Sequence, residues 1–309
     1  MTKKSLIVII GPTAIGKTSL SIALAKELNC PVISADSRQF FKEMSIGTAK
    51  PSKEEMQGVP HYFIDSHSIV EDYNVGKFEN EAIGLLEKLF QKHNVVLMVG
   101  GSGLYIDAVC KGFDKLPEAD AELREKINSI FESKGMAGLQ ELLKDLDPEY
   151  YTKVDLQNRH RVSRAIEVCL CTGKPYSSLR EGKNKERNFN SIKVGLNTSR
   201  EVLYSQINQR VDEMMKQGLL EEVKALQAHK GLNALQTVGY RELFDYLDKK
   251  NDLFSAVELI KQNTRNFAKR QLTWFRKDPG IKWFEPDALE EIKKYLLEVD
   301  TNFMNLIRK

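Results

Sequence analysis

Eight consecutive residues, Gly11-Pro12-Thr13-Ala14-Ile15-Gly16-Lys17-Thr18, satisfy the spacing G-x-x-x-x-G-K-[ST] at every fixed position. Gly11 and Gly16 allow a tight loop and close backbone approach, so that successive N–H groups and a helix N-terminus can face an anion. Lys17 adds a point charge, and the Thr18 hydroxyl can ligate Mg²⁺. The loop therefore predicts phosphate binding without naming the phosphate compound. A nucleotide hydrolase would also need a strand ending in an acid to hold Mg²⁺ and position water. The best candidate strand, VVLMV at 95–99, runs instead into Gly100-Gly101-Ser102-Gly103. Asp36, in ADSRQ, is the only acid at a strand end. It reads either as a group presented to a substrate or as a magnesium ligand, and the residues alone leave both open.

These groups need strands to carry them. LIVII (6–10) and VVLMV (95–99) are continuous apolar runs, as expected for parallel strands buried on both faces, and CPVISAD (30–36) is a shorter candidate. From 113 to about 190 the pattern is helical. IKVGLN (192–197) then returns to the sheet, and Leu203, Ile207, Val211, Met214 and Val223 share the apolar face of one long helical pattern. The fold class that follows is α/β: a P-loop NTPase-like parallel-sheet core flanked by helices, with an inserted helical domain. The catalytic core is expected at 1–112 and 191–309, and the insertion at 113–190. Arg210 lies one residue before Val211, where most arginines only snorkel.

The chain has 309 residues, 41% hydrophobic and 29% charged, with a formal net charge of +3, so the distribution of charge matters more than its sum. Basic residues outnumber acidic ones nine to four over 151–190 and seven to one over 261–282, which favours a polyanionic partner. The basic-then-apolar N-terminus runs into the glycine loop rather than a cleavage site, and no apolar stretch nears the roughly 20 residues of a membrane span. The four cysteines, Cys30, Cys110, Cys169 and Cys171, lack metal-site spacing. A cytoplasmic location is the expectation, with reduced thiols.

Taken in order, GPTAIGKT (11–18), DSRQFFKEMSIGTAKP (36–51), VPHYFID (59–65) and VGGSGLY (99–105) resemble the tRNA dimethylallyltransferases, the bacterial tRNA isopentenyltransferase family. The resemblance continues through RHRVSRAIEV (159–168), TGKP (172–175), QTVGYRE (236–242) and NTRNFAKRQLTWFRK (263–277). It implies transfer of a dimethylallyl group from dimethylallyl diphosphate to the N6 amine of the adenosine 3′ of the anticodon, with Mg²⁺ as the only ion. Residues 11–18 would then hold diphosphate, with Lys17, Thr18, Ser102 and Arg210 facing it and Asp36 as the base. The same resemblance assigns tRNA contacts to Asp36, Ser37, Arg38, Gln39 and Ser102. It adds Arg124, the segment His160, Arg161, Val162, Ser163 and Arg164, and the segment Gln236, Thr237, Val238, Gly239, Tyr240 and Arg241. Arg161 and Arg164 stand at i and i+3, on one helix face suited to phosphate.

Ser102 stands where the family usually has Thr, Ser45 where Asp is common and Phe41 where Tyr is common. Phe267, Trp274 and Phe275, at helical spacing, are expected in the core. The partners implied are a tRNA anticodon stem-loop and dimethylallyl diphosphate, with no membrane and a monomeric chain. The rival readings are a small-molecule kinase, an RNA-binding GTPase-like switch and an isopentenyltransferase acting on AMP or ADP. The kinase would consume ATP, the switch needs a guanine-selecting motif that is not seen, and a small acceptor needs no long basic surface.

Overall fold

A computed structural model describes residues 3–114, 116–117, 120–180, 182, 185–300 and 303. Met1 and Thr2 of the basic N-terminus, and Glu181, Lys183 and Asn184 of the basic 151–190 run, lie outside the described residues.

The chain runs β1 (Lys4–Ile10), α1 (Lys17–Glu27), β2 (Val32–Ser34), α2 (Lys53–Met56), β3 (His61–Tyr62), α3 (Val75–Leu89), β4 (Val95–Gly100) and α4 (Gly103–Lys111). Next come α5 (Ala121–Leu146, broken at Gly135), α6 (Pro148–Tyr151) and α7 (Arg159–Thr172). Then follow β5 (Phe189–Leu196), α8 (Arg200–Lys216), α9 (Leu219–Ala225), α10 (Tyr240–Leu247), α11 (Leu253–Phe275), β6 (Ile281–Phe284) and α12 (Leu289–Val299). The strands form one parallel sheet in the order β3-β2-β4-β1-β5-β6.

The apolar run of β1 has a direct cause. Successive strand side chains point to opposite faces, and here both faces are covered. Ile7 and Ile9 pack with α1, α8 and α12 through Leu24, Ile207 and Ile292. Leu6, Val8 and Ile10 pack with α3 and α4 through Phe78, Ala82 and Ile106. A third cluster joins α8 to α11 through Val211, Leu219, Val223, Leu243 and Ile260, with Phe41 and Met44 from the loop after β2.

The chain divides into two compact units, one of residues Met1–Lys111 and Arg187–Lys309, the other of Gly112–Glu186. The second has its own core of Ile127, Leu139, Leu143, Val162 and Ile166 on α5 and α7.

The structure differs from the sequence reading at three places. The boundary expected at 190 falls inside β5, because Phe189 is buried and pairs with Lys4 at the start of β1. The single helical pattern expected through Val223 is two helices: Gly218 takes φ 101°, which a side chain resists, and breaks the chain between α8 and α9. β3 and β6 have only two and four residues at the sheet edges, too short to show a period. Among the described residues no helix is long and apolar enough to cross a membrane.

Candidate active site

The phosphate loop joins the end of β1 to α1, at the carboxyl edge of the sheet where parallel α/β proteins bind ligands. Ile15 is buried in the core and anchors the loop from below. Ala14 and Gly16 take positive φ, 67° and 93°, the turns that make successive N–H groups converge on one side. Helix α1 begins with no side-chain cap and no acid in its first turn, so its orphan donors remain for an anion. Lys17 Nζ donates to the carbonyls of Gly11 (3.1 Å) and Pro12 (2.7 Å). Although Lys17 is only half-buried, desolvation and then the Arg210 guanidinium push its ammonium down to about 7, with Asp36 pulling the other way.

Two further strand ends and one helix converge on this loop. Asp36 follows β2, and its Oδ1 accepts from the Arg38 backbone N–H at 2.9 Å, fixing a tight turn. Ser102 follows β4. Its Oγ accepts from Ser37 N at 3.0 Å and donates to Ser37 Oγ at 3.1 Å, tying the β4 and β2 tips together. Arg210, on α8, reaches Thr13 Oγ1 at 3.4 Å. Burial lowers its guanidinium pKa, with Asp36 and Glu55 as the offsetting carboxylates. Burial likewise lowers Arg38, against Tyr105 and Asp36. A cleft of about 470 Å³ opens beside the loop, lined in part by Ala14, Gly16, Gln206, Arg210 and Pro286. Lys17, Asp36, Ser102 and Arg210 thus belong to one constellation, and Thr18 sits in the first turn of α1 beside it.

Several expected roles are altered by the geometry. The Thr13 N–H donates to Gln271 Oε1 at 2.9 Å, so this loop amide is not free for phosphate. The Gln39 side chain is a tie, not a reader: its Nε2 donates to the carbonyls of Thr48 and Ala49 (3.2 Å each), and its Oε1 accepts from Ser34 Oγ at 3.1 Å. Tyr240 is 0% exposed and its hydroxyl donates to Glu222, so its side chain belongs to the core rather than to an RNA face. Gly239 is buried beside it, Thr237 and Val238 are half-buried, and Gln236 and Arg241 are exposed. Of the three aromatics expected in the core only Phe275 is buried; Phe267 and Trp274 are each 37% exposed.

Sequence reasoning missed Gln271. It is buried on α11 and spans the site, accepting from Thr13 N and donating from Nε2 to the Gly101 carbonyl at 3.0 Å. Its signal was a polar residue on the helix face that also carries Ala268 and Phe275, a core position that only a satisfied amide tolerates.

In the 112–186 unit, Glu167 is buried on α7 and binds both Arg124 Nε (3.0 Å) and Arg164 Nη1 (2.7 Å). Arg164 also donates to the Pro117 carbonyl at 2.6 Å. Arg164 is therefore committed to the protein, whereas His160 and Arg161 are exposed at the start of α7. Val162 is fully buried, and the Ser163 hydroxyl is buried with no hydrogen-bond partner among the described residues. Among the described residues the helix-face pairing of Arg161 with Arg164 thus leaves one free guanidinium, not two.

Residues 39–278 match the family model described as IPP transferase. The chain is 53% identical over 302 residues to the tRNA dimethylallyltransferase of Flavobacterium johnsoniae, covering 96% of this chain and 98% of that one. It is 49% identical over 296 residues to tRNA dimethylallyltransferase 1 of Bacteroides fragilis, with the same coverage. The full-length tRNA isopentenylpyrophosphate transferase of Bacillus halodurans superposes with a TM-score of 0.72 at 36% identity, covering 99% of both chains. A eukaryotic dimethylallyltransferase acting on tRNA superposes with a TM-score of 0.80 at 27% identity, covering 98% of this chain and 80% of the other.

Proposed function

The chain belongs to the IPP transferase family, and from that premise we propose how its residues divide the work of a tRNA dimethylallyltransferase. The reaction moves the dimethylallyl group of dimethylallyl diphosphate onto the N6 amine of the adenosine 3′-adjacent to the anticodon. The C1–O bond of the donor breaks, diphosphate leaves with the electron pair, and N6 bonds to C1 and loses a proton. The observation that carries the reading is the convergence of one carboxylate and two desolvated cations at the strand ends: Asp36, Lys17 and Arg210 feel one another's charge.

The bond to diphosphate is broken at an allylic carbon, so negative charge grows on the leaving group. Lys17, Arg210, the Ser102 hydroxyl and the first N–H groups of α1 are the donors placed to stabilise it. Asp36 accepts the N6 proton, which removes the penalty of a nitrogen lone pair delocalised into adenine. The half-buried Thr18 hydroxyl has no hydrogen-bond partner among the described residues, and a lone hydroxyl suits an ion that takes its remaining ligands from phosphate and water. Thr18 would hold Mg²⁺ in that way. The ion supplies charge neutralisation to the diphosphate.

The RNA side falls to Ser37, whose hydroxyl is held by Ser102, and Arg38, which makes no ion pair among the described residues, with the exposed Gln236 in the loop before α10, Arg241 in the first turn of α10, and His160 and Arg161 on α7. Extruding the target base from the loop costs a few kcal/mol, which these contacts must offset.

Incubating the protein and Mg²⁺ with an unmodified anticodon stem-loop tests the reading, with dimethylallyl diphosphate in one tube and ATP in the other. Mass spectrometry is expected to find a five-carbon gain on the adenosine in the first tube alone. No gain, with ATP turned over in the second tube, would replace this reading with a kinase and move Asp36 to the metal.

A further inference from the structure

Glu222, on α9, lies outside every group assigned above, yet its carboxylate is fully engaged. Oε2 accepts from the backbone N–H groups of Ser45 (3.0 Å) and Ile46 (2.8 Å). Oε1 accepts from Gly47 N (3.0 Å) and from the Tyr240 hydroxyl (2.6 Å). Three successive N–H groups closing on one anion form a nest, a fixed arrangement of backbone dipoles that normally receives a phosphate or a metal cluster. Here the chain supplies the anion itself. Among the described residues Glu222 has no cationic partner, so these four donors carry its whole stabilisation, and charge-assisted bonds of this kind are roughly twice as strong as neutral ones.

The two sides of this clamp lead to different parts of the site. On one side, the 45–47 backbone continues into Thr48 and Ala49, whose carbonyls hold Gln39 Nε2, and Gln39 in turn takes Ser34 Oγ at the end of β2, two residues before Asp36. On the other side, Tyr240 closes the Gln236–Arg241 segment. The contact is tight, because a Cβ at Gly47 would lie 2.5 Å from the Tyr240 ring, so no other residue fits between loop and ring. Tyr240 is fully buried and its phenol is pushed far above its ordinary value by burial and by Glu222, so it remains a hydrogen-bond donor at any working pH.

We propose that Glu222 is a positioning residue for RNA engagement. It sets the distance between the Asp36–Gln39 turn and the Gln236–Arg241 segment by clamping the loop that backs the first to the tyrosine that anchors the second. The proposal rests on the reading that both segments meet RNA. Diphosphate binding, built from β1, α1 and Arg210, is independent of the clamp.

The test compares Glu222→Gln, Tyr240→Phe and their double variant with the wild-type chain. Affinity for the unmodified anticodon stem-loop is read by fluorescence anisotropy, affinity for inorganic diphosphate by calorimetry, and folding by thermal melting. Glutamine cannot accept from three N–H groups, so Glu222→Gln is expected to weaken stem-loop binding by about tenfold. Tyr240→Phe keeps the ring against Gly47 and loses one bond, for about a threefold loss. Diphosphate affinity is expected to stay within about twofold in all variants. Because both single changes act on the same hydroxyl–carboxylate bond, the double variant should fall short of the sum of the two losses.

Unchanged stem-loop affinity in the folded variants overturns the proposal, as does an equal loss of diphosphate and RNA affinity. If Glu222→Gln fails to fold, Tyr240→Phe decides alone. A wild-type chain that binds the stem-loop but does not prenylate it would sink the proposed function, while the affinity ratios would still judge the clamp. A wild-type chain that binds no stem-loop overturns both.

Discussion

At the strand ends, Lys17, Arg38 and Arg210 are desolvated, and among the described residues none of them makes an ion pair; Asp36 spends its bond on a backbone N–H. In the 112–186 unit, Arg124 and Arg164 close on the buried Glu167. Both regions are rich in arginine and both belong to segments of the family resemblance, yet their charges do different things. A guanidinium with a buried carboxylate partner is already satisfied, and its removal strands the partner. A desolvated cation without one is held in an unfavourable state that an arriving anion relieves, and perturbed groups of that kind concentrate at functional sites. The partner of each charge, rather than its sign or its motif, separates chemistry from architecture.

That contrast can be broken by substitution, and the largest effect is expected at the proposed base. Asp36→Asn should lower single-turnover prenylation by about 10²–10⁴ while stem-loop affinity holds, since only proton acceptance is lost. A comparable loss of RNA binding would make Asp36 a contact and not a base. Arg210→Gln should cost about 10²–10³ in turnover, the range for removing one donor from a developing oxyanion. Arg164→Gln, in contrast, should leave the chemical step unchanged.

Proton linkage sharpens the same point. With burial holding its pKa at about 7, Lys17 should be mostly neutral at pH 8 and is expected to become charged when diphosphate binds. Binding should therefore take up close to one proton at pH 8, and affinity should fall about tenfold for each pH unit above 7 until the bound-state pKa is reached. Below 7 the lysine is charged in both states and contributes no slope. Calorimetry in buffers of different ionisation enthalpy measures the uptake, corrected for the proton exchange of the diphosphate itself. Lys17→Met should abolish it.

The smaller effects lie in the 112–186 unit. Glu167→Gln should destabilise that unit by about 1–3 kcal/mol, seen as a lower melting midpoint with diphosphate affinity intact, because two guanidinium groups lose a charged acceptor and one of them is largely solvated. Arg161→Ala should leave the melting midpoint alone and reduce the salt dependence of stem-loop binding by about one phosphate's share. Reversal of these last two phenotypes would erase the distinction drawn between the regions.

The parts of the molecule legible in the sequence are those whose physics is local. The phosphate loop is contiguous, so GPTAIGKT announced β1, the cradle and α1 together, and Ser102 was legible as a hydroxyl at the tip of a buried run. Gln271 was not, because its partners, Thr13 N and the Gly101 carbonyl, come from loops more than 160 residues away in the chain. Tyr240 lay within a segment with an RNA-facing resemblance, and nothing local distinguishes a tyrosine that faces out from one whose hydroxyl has a glutamate waiting inside. Trp274 shows the opposite error. Helical spacing suggested a core position, but the ring covers Gly103 at the surface and its Nε1 donates to Asp107 at 2.9 Å, an amphipathic placement that periodicity cannot see.

The pairing of β1 with β5 constrains how the chain can be made. Lys4 lies opposite Phe189, and all of the 112–186 unit is threaded between them in sequence. At a synthesis rate of about 5–20 residues per second, β1 leaves the ribosome roughly ten to forty seconds before the strand that completes its second side. It can pair with β4 in that interval, but its other edge stays open, while α5 and α7 already have every partner they need within their own stretch. Birth order in this molecule is therefore inverted relative to the chain: the later-synthesised unit can finish first, and the sheet that carries the phosphate loop closes only after it. Ribosome-bound chains stalled far enough beyond residue 186 for α7 to clear the exit tunnel, with β5 still inside it, should resist protease across α5 and α7 and be cut readily in β1.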